Sequence, residues 1–227
     1  MRNTNEWKEK PGFDTLEGEK PEPLIMCDGG GLQAVPLHQR PDLLETCADL
    51  VNSEWPRSHG ARVHSLQKSC QEFPVVLLLL HGSGNEDCVD ETLLGHVRLS
   101  RVVSHPGSLF VESVVISKTQ RGKGYGRTLM QEAERYARAR GFSSLCLTTH
   151  DKQHFYAHLG YVLSSPVQNS GIMSSFVPME VLERFSRLAG TDDTLGECPA
   201  WLVVQTLEKT PYRDPKGVPI FWMQKTF

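Results

Sequence analysis

Apolar residues along the chain form short runs of strand length, which alternate with stretches of helical spacing. Runs rich in β-branched and aromatic residues favour strands, and they occur at residues 32–38, 73–80, 92–103, 108–120, 142–149, 161–167 and 217–224. The runs at 73–80 and 92–103 flank the acidic segment GSGNEDCVDE. We therefore expect these two runs to form a β-hairpin.

Helical spacing places apolar residues on one face of residues 40–55 and of residues 127–140. In the first segment Asp42 could cap the start and Pro56 follows the end, which predicts a helix that ends at Trp55. A short helix is expected within residues 151–160 and a further one at 178–190. Strands and helices in this order predict a mixed α/β (α+β) domain built around one sheet.

The 227 residues, 39% of them hydrophobic, fit one compact domain with tails. Residues 1–31 mix charged residues with prolines and glycines, which predicts a disordered N-terminal tail. We expect the folded domain at residues 32–227, with an insertion at about 171–216 before the last strand.

Charge and cysteine content exclude several classes of protein. A formal net charge of −3 excludes a generally basic nucleic-acid-binding protein. The six cysteines include no C-x-x-C pair, and the first residues lack the apolar run of a signal peptide, so we expect a reducing, cytoplasmic location. No run approaches the roughly 18 apolar residues of a membrane-spanning helix, so we expect a soluble protein without a membrane partner.

The sequence RGKGYGR at residues 121–127 lies between a predicted strand and a predicted helix. In that order, loop amides and the first N–H groups of the helix form a cup for an anion, and Arg121, Lys123 and Arg127 add positive charge. A Rossmann fingerprint would need its third glycine one residue later, and a P-loop would need Ser or Thr after Lys123. A phosphate site is the functional interpretation, and an ordinary tight turn remains the alternative.

Two motifs resemble the GCN5-related N-acetyltransferase (GNAT) superfamily. Arg121, Gly124 and Gly126 match its Q/R-x-x-G-x-G/A loop, and residues 156–161 match its Y-x-x-x-G-F/Y motif. Thr149 stands where many members have an asparagine. The resemblance implies a mostly antiparallel twisted sheet of about seven strands with helices on both faces, acetyl-CoA as the acetyl donor, and no metal.

The resemblance also assigns roles to residues around these motifs. It implies that Tyr156 protonates the leaving thiolate, and the alternative is a tyrosine packed in the core. Glu112, inside an otherwise apolar strand, is the candidate base, and the alternative is an outward-facing strand residue. The implied contacts with acetyl-CoA are Val114, Val115, Ile116, Arg121, Gly122, Lys123, Gly124, Tyr125, Gly126 and Arg127.

The segments WPRS, RVHSL, LTTHD, HFYAHLGY and PIFWM resemble the branch of the superfamily that acetylates the acidic N-terminus of processed actin. Its mammalian members engage profilin through a proline-rich stretch, whereas residues 171–216 here contain only isolated prolines. Residues 55–71 and 92–111 carry Arg, Lys and His without any acid, which suits an acidic substrate. The implied substrate contacts are Trp55, Arg57, Arg62, Val63, His64 and Ser65.

His150, His154 and His158 are spaced as H-x3-H-x3-H, which raises the question of a metal site. A structural or substrate-facing role is preferred, because no glutamate follows His154 as H-E-x-x-H requires. The sequence therefore predicts an acetyl-CoA-dependent N-alpha-acetyltransferase without a metal or nucleic-acid partner. Lysine or small-amine acetylation, and a catalytically silent module that binds CoA or actin, remain the alternatives.

Overall fold

The computed structural model describes residues 26–28, 31–82, 91–103, 105–168 and 205–227. Its centre is one eight-stranded sheet in the order β1-β2-β3-β4-β5-β6-β8-β7. The strands are β1 (Met26–Asp28), β2 (Leu32–Pro36), β3 (Val75–His81), β4 (Thr92–Arg101), β5 (Ser108–Ile116), β6 (Ser144–Thr149), β7 (Val162–Leu163) and β8 (Phe221–Thr226). The predicted mixed α/β sheet is confirmed, with β1 as a short additional strand at its edge.

Neighbouring strands are antiparallel everywhere except between β5 and β6, which run parallel. The predicted hairpin is confirmed, since β3 and β4 pair from Val75 with Leu99 to His81 with Thr92. The parallel pair needs a crossover connection, and a long helix between the two strands supplies it.

Helices cover both faces of the sheet. They are α1 (Leu44–Asn52), α2 (His59–Leu66), α3 (Tyr125–Ala139) and α4 (Gln153–His158). Buried residues of α1 and α2 pack with alternate residues of β3, such as Val76 and Leu78, in one apolar cluster. The other set of β3 residues, such as Leu77, faces α3 in a larger cluster. This double-sided burial explains why the β3 run is apolar at every position.

The predicted first helix is correct in its centre and wrong at both ends. Residues Pro41–Leu43 form a 3-10 turn, and α1 begins after Leu43 without a side-chain cap. The Asp42 carboxylate instead accepts hydrogen bonds from Arg40, and α1 ends at Asn52, three residues before Trp55. The basic loop expected after this helix is partly helical, since α2 lies within it.

The last described segment turns back towards the sheet before β8. Asp214 closes a tight turn by accepting hydrogen bonds from the backbone N–H groups of Lys216 and Val218. The helix predicted at 178–190 lies outside the described residues. The boundaries proposed for the tail, the domain and the insertion stay predictions. Strand β1 lies within the segment assigned to the tail, and it pairs with β2 of the domain.

Candidate active site

Strands β5 and β6 separate at one end of the sheet. Their parallel pairing extends only to Val111 and Leu147, whereas β5 continues to Ile116 and β6 to Thr149. Among the described residues, no strand therefore pairs with residues 112–116 on the side that faces β6. Backbone N–H and C=O groups on such a side can bind an extended ligand as an added strand would. Val114, Val115 and Ile116 of the predicted donor site lie here.

The glycine loop lies at the same end and leads into α3. Gly122 and Gly124 have φ angles of +79° and +88°, a conformation that other residues adopt only with strain. Within the described residues, the backbone N–H groups of 122–126 donate no hydrogen bond to another backbone group, while those of Arg127 and Thr128 bond to Gly124 O. Backbone donors without a backbone acceptor at a helix N-terminus are suited to bind an anion.

The side chains around the loop connect it to α1. Arg121 donates from Nη2 to Glu54 Oε2 at 2.6 Å and from Nε to the Ile116 carbonyl at 3.1 Å. Lys118 donates to the Ser53 carbonyl at 2.8 Å. The hydrogen bond from Arg121 lowers the pKa of Glu54, and the nearby charge of Lys118 contributes. Arg121 therefore already has an acidic partner, whereas the sequence suggested that its charge was available to a phosphate.

Tyr156 lies on α4 and is buried against the larger apolar cluster. Its ring lies 5.1 Å from that of Phe155 and 5.8 Å from that of Tyr161. Burial, together with the nearby charge of Asp151, raises the pKa of Tyr156 to about 12, so the phenol keeps its proton at neutral pH. Thr149 receives a hydrogen bond from the Lys152 backbone N–H and thereby caps the turn before α4. Tyr156 is thus a core residue whose phenol carries its proton at neutral pH.

Glu112 is the extra residue of a β-bulge. Arg98 of β4 pairs with Ser113 and Leu99 with Val111, which leaves Glu112 without a partner residue on β4. A bulge breaks the alternation of side chains and redirects them. The Glu112 carboxylate therefore lies on the face covered by α1 and α2, where its Oε2 is 2.9 Å from Arg98 Nε. Its Oε1 is buried and accepts no hydrogen bond from a described residue.

Arg98 joins this carboxylate to α2. Its Nη1 donates to the backbone carbonyl of Ser65 at 3.1 Å and to the Ser65 hydroxyl at 2.9 Å. The side chain of Arg98 is only 11% exposed. A buried cation needs such partners, because removing it from water is costly. The structure thus brings the predicted base Glu112 together with Ser65 of the predicted substrate-binding set.

His96 lies beside this ion pair and is fully buried. Burial, with Arg98 and Arg62 nearby, lowers its pKa to about 3. Its Nε2 lies 2.9 Å from Ser113 Oγ and its Nδ1 lies 3.5 Å from Cys47 Sγ of α1. The imidazole is therefore neutral under physiological conditions, and both of its nitrogens have a polar neighbour.

The corner between α1 and α2 carries the basic residues predicted to contact substrate. Arg62 donates to Asn52 Oδ1 at 2.9 Å and to the Trp55 carbonyl at 2.7 Å, so it braces the C-terminal end of α1. Burial, followed by the charge of Arg57 and more weakly that of Arg98, lowers the pKa of Arg62. The contributions of Arg57 and Arg98 indicate a locally positive potential. Trp55, Arg57 and His64 are exposed, whereas Val63 packs partly against the sheet.

The three spaced histidines point to separate partners. His150 Nδ1 donates to the Pro219 carbonyl at 2.9 Å, His154 Nε2 lies 3.7 Å from Glu208, and His158 Nδ1 bonds to the backbone carbonyl of His154. Among the described residues, no group of three or more His, Cys, Asp and Glu side chains could hold a metal ion. In the same part of the chain, no helix has the length and apolar character needed to cross a membrane.

Sequence reasoning missed Arg98, Glu54 and His96 as partners in this site. Arg98 and His96 appeared only as members of an acid-free segment, and their partners lie 33 and 49 residues away. A polar side chain at alternate positions of an otherwise apolar strand, as in GHVRLS, is the local signal that could have identified both.

Comparison with known proteins agrees with this geometry. The model of the acetyltransferase (GNAT) family matches residues 44–161. N-alpha-acetyltransferase 80 from Mus musculus is 40% identical over 218 residues, which cover 82% of this chain and 69% of that protein. A solved aminoglycoside 6'-N-acetyltransferase complexed with coenzyme A superposes with a TM-score of 0.50 at 14% identity, over 85% of this chain and 96% of that one. The structural likeness concerns the fold alone.

Proposed function

Because this chain belongs to the acetyltransferase (GNAT) family, we propose that it acts as an acetyl-CoA-dependent N-alpha-acetyltransferase on acidic protein N-termini, that of processed actin above all. The observation that carries the proposal is the separation of β5 from β6. Beside it lie the five loop amides that donate to no other described backbone group, together with Glu112 and the basic corner between α1 and α2. The family supplies the reaction class, and the charge of the corner suggests the acceptor.

The donor fits the open end of the sheet. We propose that the free amides of residues 122–126 bind the pyrophosphate of acetyl-CoA. The unpaired side of residues 114–116 hydrogen-bonds to the amides of the pantetheine arm. Lys123 and Arg127 add charge at the loop, and Lys123 is held by Gln120 Oε1 at 2.9 Å. The thioester then lies between β5 and β6, within the region bounded by Glu112 and Tyr156.

The chemistry needs one proton acceptor and one proton donor. The incoming amine attacks the thioester carbonyl only when it is unprotonated, and the C–S bond then breaks to release a thiolate. We assign proton removal from the amine to Glu112, directly or through water, because one of its oxygens accepts no hydrogen bond from a described residue. Tyr156 donates the proton to the thiolate, since burial keeps its phenol protonated.

The acceptor side is basic. Arg57 and Arg98 lie close enough to Arg62 for their charges to lower its pKa, and among these three residues only Arg98 has a carboxylate partner within the described residues. Arginine binds carboxylates well because its planar group can donate two hydrogen bonds at once. We therefore propose that this corner binds the side-chain carboxylates of the first acceptor residues. Arg57, whose side chain is exposed, would make the most accessible contact. The fit favours Asp- or Glu-rich N-termini over lysines and small amines.

The test compares acidic and neutral N-terminal peptides as acceptors for the wild type and for an Arg57→Glu, Arg62→Glu variant. A charged contact contributes about 1.5 to 3 kcal/mol when it is desolvated, so kcat/KM for the acidic peptide should fall at least tenfold. The preference of the wild type should weaken as salt is added. Because Arg62 also braces α1, an Arg57→Glu variant alone separates charge recognition from folding.

Mass spectrometry of the products identifies the modified amine. A control variant, Arg213→Glu, places the same charge change on an exposed residue of the turn before β8. If the variants at the corner keep the preference of the wild type for acidic peptides, the assignment of the acceptor is wrong. Acetylation of lysine side chains in preference to α-amines would contradict the proposed function itself.

A further inference from the structure

Three polar side chains lie in hydrogen-bonding contact in a row. The row runs from Cys47 on α1 through His96 on β4 to Ser113, beside the bulge on β5. Cys47 Sγ lies 3.5 Å from His96 Nδ1, and His96 Nε2 lies 2.9 Å from Ser113 Oγ. Cys47 and His96 are fully buried, whereas Ser113 is half-buried and follows Glu112 directly. The reaction proposed above uses none of these three groups.

The number of protons fixes the direction of the hydrogen bonds. Burial raises the pKa of the Cys47 thiol to about 12, so the sulfur carries its hydrogen. A neutral imidazole has one donor nitrogen and one acceptor nitrogen. If the thiol donates to Nδ1, then Nε2 must carry the imidazole proton and donate it to Ser113 Oγ. The opposite order would leave the buried S–H of Cys47 without an acceptor and would use sulfur only as a weak acceptor.

In this order the Ser113 hydroxyl has its own proton to donate. Its oxygen already accepts from His96, and the side chain makes no other hydrogen bond to a described residue. The bulge at Glu112 places Ser113 on the face covered by α1 and α2, which is the acceptor side of the candidate site. The hydroxyl therefore keeps its proton available for donation at a position beside the predicted base.

We propose that Ser113 binds the first residue of the acceptor chain by donating a hydrogen bond to one of its oxygens, and that His96 and Cys47 position this donor. The inference rests on the proposed function, since it needs an acceptor that enters beside Glu112. The oxygen belongs either to the first peptide carbonyl or to a side-chain carboxylate. Both are pure acceptors and suit a hydroxyl whose proton is available for donation.

The first experiment tests the direction of these hydrogen bonds in the wild-type protein. Protein labelled with 15N-histidine gives a two-bond 1H–15N spectrum that distinguishes a protonated from an unprotonated ring nitrogen. We expect His96 to carry its proton on Nε2 and none on Nδ1 at pH 7 and at pH 5, with the signal assigned by its loss in His96→Gln. A proton on Nδ1, or on both nitrogens at pH 7, would overturn the proposal.

The second experiment measures acceptor binding in Ser113→Ala, with Ser113→Thr as the variant that keeps the hydroxyl. Ser100→Ala is the matched control, since Ser100 is a buried serine of the same sheet whose hydroxyl has no hydrogen-bond partner in the described part of the chain. Loss of one donor to a substrate oxygen should raise the Kd and KM of the peptide about tenfold and change kcat less. Ser113→Thr and Ser100→Ala should stay within about threefold of the wild type.

Peptides that differ only in having Asp or Ala as the first residue identify the oxygen. A loss confined to the Asp peptide assigns the bond to the carboxylate, and an equal loss with both assigns it to the carbonyl. A Ser113→Ala enzyme that binds both peptides as the wild type does would overturn the inference. If the wild type acetylates neither peptide, the proposed function fails, and the tautomer of His96 still tests the chain of hydrogen bonds.

Discussion

Lowering the pH from 7 to 5 should destabilise this protein, and the side chain of His96 should contribute measurably to the loss. The folded protein holds the imidazole neutral, because burial and the charges of Arg98 and Arg62 lower its pKa to about 3. In the unfolded chain the pKa returns to about 6.5. Below pH 6.5 the unfolded state therefore binds a proton that the folded state does not, and the stability that His96 contributes above this pH is lost as the pH falls.

The magnitude follows from that difference in bound protons. One proton bound only by the unfolded state lowers the free energy of unfolding by about 1.36 kcal/mol for each pH unit. Between pH 6.5 and pH 5 the loss is thus about 2 kcal/mol, and it continues towards pH 3. Since a domain is stable by only about 5–15 kcal/mol, the shift is large enough to measure.

Urea unfolding followed by circular dichroism at several pH values measures this loss. Carboxylates also titrate at low pH, so the informative quantity is the difference in slope between the wild type and a His96→Gln variant. His64→Gln, at an exposed position on α2, should keep the slope of the wild type. Equal slopes for the wild type and His96→Gln would refute the reasoning and would mean that His96 is protonated in the folded protein.

Three further substitutions test the donor side of the site. Gly124→Glu should abolish acetyl-CoA binding in calorimetry, because it strains a φ of +88° and places a carboxylate at the anion cup; unchanged affinity in a folded variant would contradict the assignment. Tyr156→Phe should lower kcat by about 10² to 10⁴ with little change in acetyl-CoA affinity, and a wild-type kcat would leave Tyr156 as a core residue. Glu54→Gln should tighten acetyl-CoA binding about two- to fivefold by releasing Arg121; weaker binding in the same titration would show that the ion pair organises the loop instead.

The sequence predicted the parts of the fold that depend on local patterning. The hairpin of β3 and β4 followed from two apolar runs, and the order of strand, glycine loop and helix was predicted correctly between β5 and α3. The exact start of α1 did not follow, because Asp42 has two favourable partners, the helix N-terminus and the neighbouring guanidinium of Arg40. Composition alone does not decide between them.

The site residues proposed from the sequence stay predictions, and the contacts that the structure shows between them did not follow from the sequence. The bulge at Glu112 could not be read from VESVVI, since either face of an alternating strand fits that sequence. Arg62 was expected to contact substrate, and the structure shows that its guanidinium also holds Asn52 and the carbonyl of Trp55. Such contacts depend on tertiary structure, because they join residues that are distant along the chain. In other cases several groups could bind the same side chain, and the sequence does not show which one does.

The separation of β5 from β6 also bears on how long the enzyme survives in solution. A strand with one unpaired side is a template on which the strand of another molecule can add, and proteins usually protect such edges to avoid aggregation. If the pantetheine arm covers residues 114–116 as proposed above, it would protect this side of β5. At a concentration 100 times its Kd, a bound ligand stabilises the folded state by about 2.7 kcal/mol. The cellular supply of coenzyme would thus control the lifetime of this protein as well as its turnover.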